Sequence, residues 1–438
     1  MRAVLRKSIY TSLSIQCRLE MFQRPRGTRD FAPEEMAKRQ WALAAMRNVA
    51  LSRGFGEIQM PIFEDLELFK RKSGPGIVEE LYAFKDKGNR EIALRPEMTA
   101  QVMRFYVSDM ASLPKPLKLF YFGPCFRYEN PQSGRYREFY QFGAEIIGSG
   151  TPETDAEVVA LASSIIESIG LKNYVIRIGF IGLLRNMLRG SKLSEEKIAE
   201  ALHFLDKNDE PAFLRFAGEN GIPEDRIARI ASVRNLKGGV EILEKLDKCD
   251  ARDYLCDLMD CVSTLGVGKC ALDLGIVRGL DYYTGMVFEI DAPSLGAEKQ
   301  VAGGGSYDLV QLFGGEQVFT TGFAIGFDRT LLARENEAPI STNPCLDAYI
   351  IPMSDGSRRI ALEIVRSLRD ECLSVDFDMM RRSLSKNLKY AAAIKAKNVI
   401  ILGDKELANG SVTIRDMESG EQKEVKIDSI VNALCEKK

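Results

Sequence analysis

Between residues 34 and 53 apolar side chains recur at helical spacing, with Trp41, Leu43, Ala44, Met46, Val49 and Ala50 set among charges; this predicts a helix. Gly54 and Gly56 end it, and a strand leads to Pro61. Residues 90–94 read as a short strand, followed by Arg95-Pro96-Glu97 and a helix through Tyr106. Residues 117–126 and 137–147 read as two strands joined by a polar loop, a hairpin in a sheet, and a helix follows over 153–169. From 180 to 268 the pattern is charged amphipathic helix, broken at Gly221-Ile222-Pro223 and Lys237-Gly238-Gly239, which predicts a helical insertion. Strand signals return at 271–277 and 285–290 and run past Gly303-Gly304-Gly305 to Phe319, and a helix opens near Gly326. Asn343-Pro344 marks a linker. Beyond it strands at 346–352, 374–379 and 398–403 alternate with helices at 357–372 and 384–397, and a β-ribbon (411–416, 421–427) precedes a last helix. That alternation predicts a small α/β domain whose sheet has parallel character.

Composition narrows the function classes. At 438 residues the chain has room for two or three domains. No run approaches the ~18 consecutive apolar residues of a membrane span, so no membrane partner is expected. The formal net charge of −2 neither demands nor excludes a polyanion. Nine cysteines contain no C-x-x-C pair, and the densest group, Cys249, Cys256, Cys261 and Cys270, is irregularly spaced. Reduced thiols in the cytoplasm are expected, with no metal held by protein side chains. The only histidine, His203, lies in an amphipathic helical stretch, which leaves no base for a Ser-His-Asp triad. Arginines and carboxylates must supply charge stabilisation instead. Residues 1–20 carry Arg2, Arg6, Lys7 and Arg18 and no acid before Glu20. They read either as an upstream extension, Met21 opening the domain, or as a transit peptide, the second making the location mitochondrial.

The chemistry concentrates in a few stretches. Phe126-Arg127-Tyr128-Glu129 opens the loop Asn130-Pro131-Gln132-Ser133-Gly134-Arg135-Tyr136-Arg137, and arginines held by strands make rigid ligands for phosphate. A solvated, salt-bridged hairpin would carry the same residues. The pattern resembles motif 2 of the class II aminoacyl-tRNA synthetases. Val277-Arg278-Gly279-Leu280-Asp281-Tyr282-Tyr283-Thr284-Gly285 and Ala302-Gly303-Gly304-Gly305-Ser306-Tyr307-Asp308 resemble the two signatures of the histidyl family in that class. Gly322-Phe323-Ala324-Ile325-Gly326-Phe327-Asp328-Arg329 resembles motif 3, while Pro25-Arg26-Gly27-Thr28-Arg29-Asp30 and the helix and strand ending at Pro61 resemble the family's opening and motif 1. Motifs in family order span residues 22–435, with Met98 and Ser306 departing from the usual pattern.

The resemblance implies an α+β fold: a class II antiparallel sheet with flanking helices, a helical insertion, and a C-terminal α/β anticodon-binding domain. The implied divisions are a core first part at 21–179, the insertion at 180–268, a core second part at 269–340 and the last domain at 345–438. It implies an ATP-dependent ligase that joins L-histidine to tRNA(His), with Mg2+ on the ATP. Arg127 and Arg278 would flank the α-phosphate as catalytic residues. Glu129 would accept from the adenine amino group and Arg329 would pack on ATP. Glu97 and Thr99 would take the amino group of histidine; Gln141, Glu145, Tyr282, Tyr283, Gly303 and Gly304 would complete its pocket. Glu97 could equally be a first-turn acid that favours a helix dipole. Glycines in the run would let backbone approach a ligand closely.

Gln132, Arg135 and Arg137 would guide the acceptor end of tRNA, with the insertion clamping its stem. The basic run Arg381, Arg382, Lys386, Lys389, Lys395 and Lys397 suits an anticodon stem-loop, although a solvated helix face has the same composition. Motif 1 implies a homodimer. Two rivals stand beside this reading: a synthetase-like regulatory subunit that senses histidine, and an α/β nucleotide-dependent enzyme acting on small molecules alone.

Overall fold

The structure is a computed structural model that describes residues 22–73, 75–129, 135–277, 282–296, 299–342 and 346–435. The leader, Gln132, residues 278–281 (Arg278 among them) and Asn343-Pro344 lie outside the described residues. Two compact units divide the chain, the first reaching Ile340 and the second beginning at Ser341, which also takes in Pro33–Ala37.

In chain order the first unit's strands are β1 (Gly56–Glu57), β2 (Phe63–Asp65), β3 (Ala83–Lys85), β4 (Glu91–Leu94), β5 (Leu117–Phe126), β6 (Glu138–Ile147), β7 (Val175–Phe180), β8 (Lys237–Gly238), β9 (Cys270–Asp273), β10 (Tyr283–Asp291), β11 (Gln300–Tyr307) and β12 (Thr320–Gly326). Nine form one sheet in the order β1-β5-β6-β12-β11-β10-β7-β9-β8, and β2-β4-β3 form a small second sheet. The centre, β5 to β7, is antiparallel throughout. Both flanks depart from the expected antiparallel pattern, because β1 pairs with β5 and β7 with β9 in parallel.

The helix Pro152–Ser168 is buried on nearly every side and packs on β6, β11 and β12, with helix Asp250–Thr264 against it. An element apolar all round can only sit between other layers. The segment 180–268 supplies helices Ile181–Arg189, Glu195–Asp206, Glu210–Glu219, Glu224–Arg234 and Asp250–Thr264. It is not wholly helical: β8 pairs antiparallel with β9 and so joins the main sheet. Its apolar faces (Ile198, Leu202, Phe213, Phe216) belong to the same buried core as the sheet.

Two strand expectations overshoot. The strand predicted over 271–277 stops at Asp273, whose carboxylate bends back to accept the Gly275 N–H at 3.1 Å and also takes Arg177 at 3.1 Å. The predicted run to Phe319 stops early: β11 ends at Tyr307, a 3-10 turn over Val310–Phe313 closes on Gly314 at φ 87°, and β12 opens only at Thr320, just past the predicted end.

The second unit contains β13 (Ala348–Pro352), β14 (Val375–Phe377), β15 (Asn398–Leu402), β16 (Ser411–Asp416) and β17 (Gln422–Lys426), in the order β14-β13-β15-β16-β17. β13 pairs in parallel with both β14 and β15, and the ribbon β16–β17 adds an antiparallel edge. Helix Leu384–Ala393 ends before the predicted 397 because Lys395 takes a positive φ of 55°.

Candidate active site

β5 and β6 pair residue by residue from Leu117 opposite Ile147 to Phe126 opposite Glu138, and β12 lies on the other side of β6. Along β6 side chains alternate between faces, so Gln141 and Glu145 share one. That face, with β10 to β12 and the first turn after β4, bounds a cavity of about 590 Å³. The volume suits a ligand of nucleotide or amino-acid size. The cavity brings together Glu97, Thr99, Arg127, Glu129, Arg135, Gln141, Glu145, Tyr282, Tyr283, Gly303 and Arg329, residues drawn from five separate stretches of sequence.

Glu145 is 1% exposed. Its Oε1 accepts the Tyr121 hydroxyl at 2.9 Å and its Oε2 accepts the Tyr307 hydroxyl at 2.5 Å. Burial pushes its carboxyl up to about 8; the tyrosine hydroxyls partly offset that, and the negative charge of Glu97 adds to it. Room for the carboxylate comes from Gly322 opposite it on β12: an added Cβ there would stand 1.5 Å from Glu145 Oε2. Gln141, four residues back, accepts a weak hydrogen bond from Cys125 Sγ at 3.4 Å. Burial raises that thiol to about 12, which keeps it un-ionised.

Glu97 sits just before helix Thr99–Phe105. It accepts the backbone N–H groups of Thr99 at 2.7 Å and Ala100 at 3.2 Å, so it does cap the helix, and it lines the cavity as well. Lys72 Nζ lies 2.8 Å from its Oε2. Burial opposes its ionisation, yet Lys72 and the two amides hold its carboxyl below the ordinary value.

Arg127, at the end of β5, donates from Nε to Pro96 O at 3.0 Å, with its guanidinium 5.2 Å from the Phe139 ring centre. That leaves the remaining nitrogens on the cavity side, one of them 3.9 Å from Glu129. Glu129 also pairs with Arg135 at 3.1 Å.

Three expectations are relocated. Gly303 lines the cavity and Gly304 does not; a Cβ on Gly304 would strike Gly322 O at 2.1 Å, so strand packing by itself requires a glycine there. Arg137 donates to Glu129 O at 3.1 Å and stacks over Tyr128 at 4.1 Å, away from the cavity lining. In the second unit Arg381 and Lys386 are exposed, whereas Arg382 turns inward to Asp378 at 3.4 Å and lies 4.2 Å over Tyr390. The departures Met98 and Ser306 both avoid the cavity: Met98 is buried in the core, and Ser306 donates to Asp155 at 2.6 Å.

Sequence reading missed four participants. Lys72 was hidden in the basic triple Lys70-Arg71-Lys72. Tyr121 and Tyr307, donors to Glu145, sit in strands where aromatic residues are ordinary. Asp328 receives Arg29 at 2.5 Å, Arg39 at 2.6 Å and the Tyr140 N–H at 2.7 Å, fastening the opening segment and β6 beside Arg329.

Residues 27–330 match the histidyl-tRNA synthetase family and residues 347–437 match the anticodon binding domain family. The chain is 43% identical to the histidine–tRNA ligase of Methanosarcina acetivorans over 417 residues, covering 94% of this chain and 98% of that protein. Against the histidine–tRNA ligase of Archaeoglobus fulgidus the identity is 43% over 402 residues, covering 91% and 96%. Among solved structures, the apo histidyl-tRNA synthetase of S. aureus aligns with a TM-score of 0.72 at 31% identity, covering 94% of this chain and 100% of that one. The antiparallel sheet, its cavity and the appended α/β unit define a class II synthetase fold. More narrowly, the chain belongs to the histidyl-tRNA synthetase family.

Proposed function

We propose that the chain is a histidine–tRNA ligase, which activates L-histidine with ATP and transfers it to the 3′ end of tRNA(His). The observation that carries this is one cavity holding two carboxylates in different electrostatic settings, Glu97 and Glu145, beside a strand-end guanidinium, Arg127.

Histidine offers a permanent cation and an imidazole that is neutral near pH 7. Glu97, with Thr99, takes the α-ammonium. Glu145, braced by two hydroxyls, takes one imidazole nitrogen, with Gln141, Tyr282 and Tyr283 around the ring and Gly303 at its edge. The substrate carboxylate then attacks the α-phosphorus of ATP and pyrophosphate leaves. Both reactants are anionic, so the barrier falls when cations flank the phosphorus. Arg127 and Arg278 fill that role, Arg329 packs on ATP, and Glu129 accepts from the adenine amino group. Mg2+ enters with ATP as part of the substrate. In the second step a terminal tRNA hydroxyl attacks the acyl carbon and AMP leaves. Arg135 at the rim and Gln132 in the loop meet the acceptor end, Arg137 acting through Glu129, while Arg381 and Lys386 present charge to the anticodon stem. A homodimer in the cytoplasm completes the reading, consistent with the described helices, none long and apolar enough to cross a membrane.

Histidine-dependent ATP–pyrophosphate exchange tests the proposal. Arg127→Ala and Arg278→Ala should each cut it at least ~10²-fold while histidine binding changes little, as for loss of one charge-stabilising donor. Histidine binding with no exchange in the unaltered chain would favour the regulatory reading.

A further inference from the structure

The last turn of helix Leu66–Ser73 carries three consecutive basic residues, Lys70, Arg71 and Lys72, and only one of their side chains enters the cavity. Lys70 and Arg71 are 29% and 58% exposed; Lys72 is 3% exposed. Its ammonium lies 2.8 Å from Glu97 Oε2 and 4.7 Å from the Tyr282 ring centre. A buried ammonium is costly unless it is matched, and Glu97 already has two backbone donors. Two cations therefore compete for one carboxylate once an α-ammonium arrives there.

The outcome of that competition follows from the shape of an amino acid. Ammonium and carboxylate share one carbon, so a ligand with its ammonium on Glu97 sets its carboxylate within a few ångströms of the same point. A lysine has four rotatable bonds and three donors, enough to follow it. We propose that Lys72 is a substrate-binding residue, which balances Glu97 in the empty cavity and moves to the α-carboxylate of the incoming amino acid. Lys72 thereby selects ligands that carry a carboxylate next to the ammonium. It also screens that carboxylate as it nears the anionic α-phosphate. The inference rests on histidine being the substrate of this cavity.

Histidinol keeps the imidazole and the ammonium and lacks the carboxylate, so it separates the two roles. Calorimetric titration of the full chain with each ligand, in the absence of ATP, gives the readout. Lys72→Met should weaken histidine on the order of 10–100-fold, the range for a lost charged hydrogen bond. Histidinol should bind as well as before or better, having lost its rival for Glu97. Lys72→Gln, which keeps a donor near Glu97, should give the same split if the Met protein does not fold, and Lys72→Arg should restore most of the histidine affinity. Equal weakening of both ligands, or of neither, would overturn the proposal. Failure of the unaltered chain to bind histidine would instead remove the proposed function itself.

Discussion

The two ends of the cavity hold the same residue type in opposite states. At one end Glu97 stands at the first turn of a helix, where backbone N–H groups have no partner within the helix and are free to bind a carboxylate. It collects two of them and an ammonium, and its carboxyl is held low. At the other end Glu145 lies in the middle of a central strand, whose N–H groups are committed to the ladders on both sides. Its hydrogen-bond partners are neutral hydroxyls, those of Tyr121 and Tyr307 at 2.9 and 2.5 Å, and burial drives it up to about 8. Burial opposes the charge at both ends; Lys72, with the helix amides adding to it, overcomes burial at Glu97, and Glu145 has no such cation among the causes of its shift. The result matches a ligand with one permanent cation and one titratable ring.

The largest effect should come from the ionised end. Glu97→Gln removes the negative charge proposed to hold the α-ammonium, leaving only an amide oxygen there, and leaves the ammonium of Lys72 buried without its carboxylate. Histidine-dependent exchange should fall ~10³-fold or more, two lost charge contacts compounding. Unfolding in urea should show a loss of about 3–5 kcal/mol, typical of half a buried ion pair. Adding Lys72→Met should return much of the stability and none of the activity. Near-native exchange in Glu97→Gln would show that the helix end is only a cap, and the contrast between the two ends would lose its functional meaning.

The neutral end can be disturbed without touching a polar group. Gly322→Ala places a methyl 1.5 Å from where Glu145 Oε2 now lies and 2.6 Å from Ala144 O, so the carboxylate must leave its two tyrosines and the β6 backbone must give as well. KM for histidine should rise on the order of 10-fold, KM for ATP should stay, and stability should drop about 1–3 kcal/mol, as for an overpacked core site. An unchanged KM for histidine would remove Glu145 from the pocket.

The same contrast shows what a linear chain can disclose. The hairpin was legible to within a residue, predicted at 117–126 and 137–147 and found at Leu117–Phe126 and Glu138–Ile147, because alternation and a polar loop are local signals. Motif order likewise pointed to Glu97, Arg127, Gln141 and Glu145, all of which meet in one cavity. What stayed hidden depends on partners far apart in sequence. Tyr307 is 162 residues from Glu145, and Asp328 is 299 from Arg29. Lys72 is indistinguishable from Lys70 until helix orientation turns one ammonium inward. Gly304 looked like a ligand-side glycine, and only the register with β12 shows that it makes room for Gly322. The sheet's parallel flanks were illegible for the same reason, since two-residue β1 carries no periodicity.

The smallest effect is a slope rather than a loss. A carboxyl raised from its ordinary 4.5 to about 8 binds its proton more tightly folded than unfolded. Its stabilising contribution is therefore complete below about 4.5, declines as pH rises through that interval, and levels off above 8. Glu97, held low, works the other way: its contribution is present above its unfolded value and is lost as pH falls through the folded one. Between pH 5.5 and 8.5 the Glu145 term moves, and any contribution from other raised groups, the buried Asp155 among them, is common to the variant and the unaltered protein and cancels in their difference. In Glu145→Gln that term is gone, so the ligand-free variant should gain on the unaltered protein with rising pH, by roughly 2–6 °C in Tm over the range. Differential scanning calorimetry without histidine measures it directly. A Tm difference that stays constant from pH 5.5 to 8.5 would mean that Glu145 ionises normally, and the two ends of the cavity would then differ in hydrogen bonding alone.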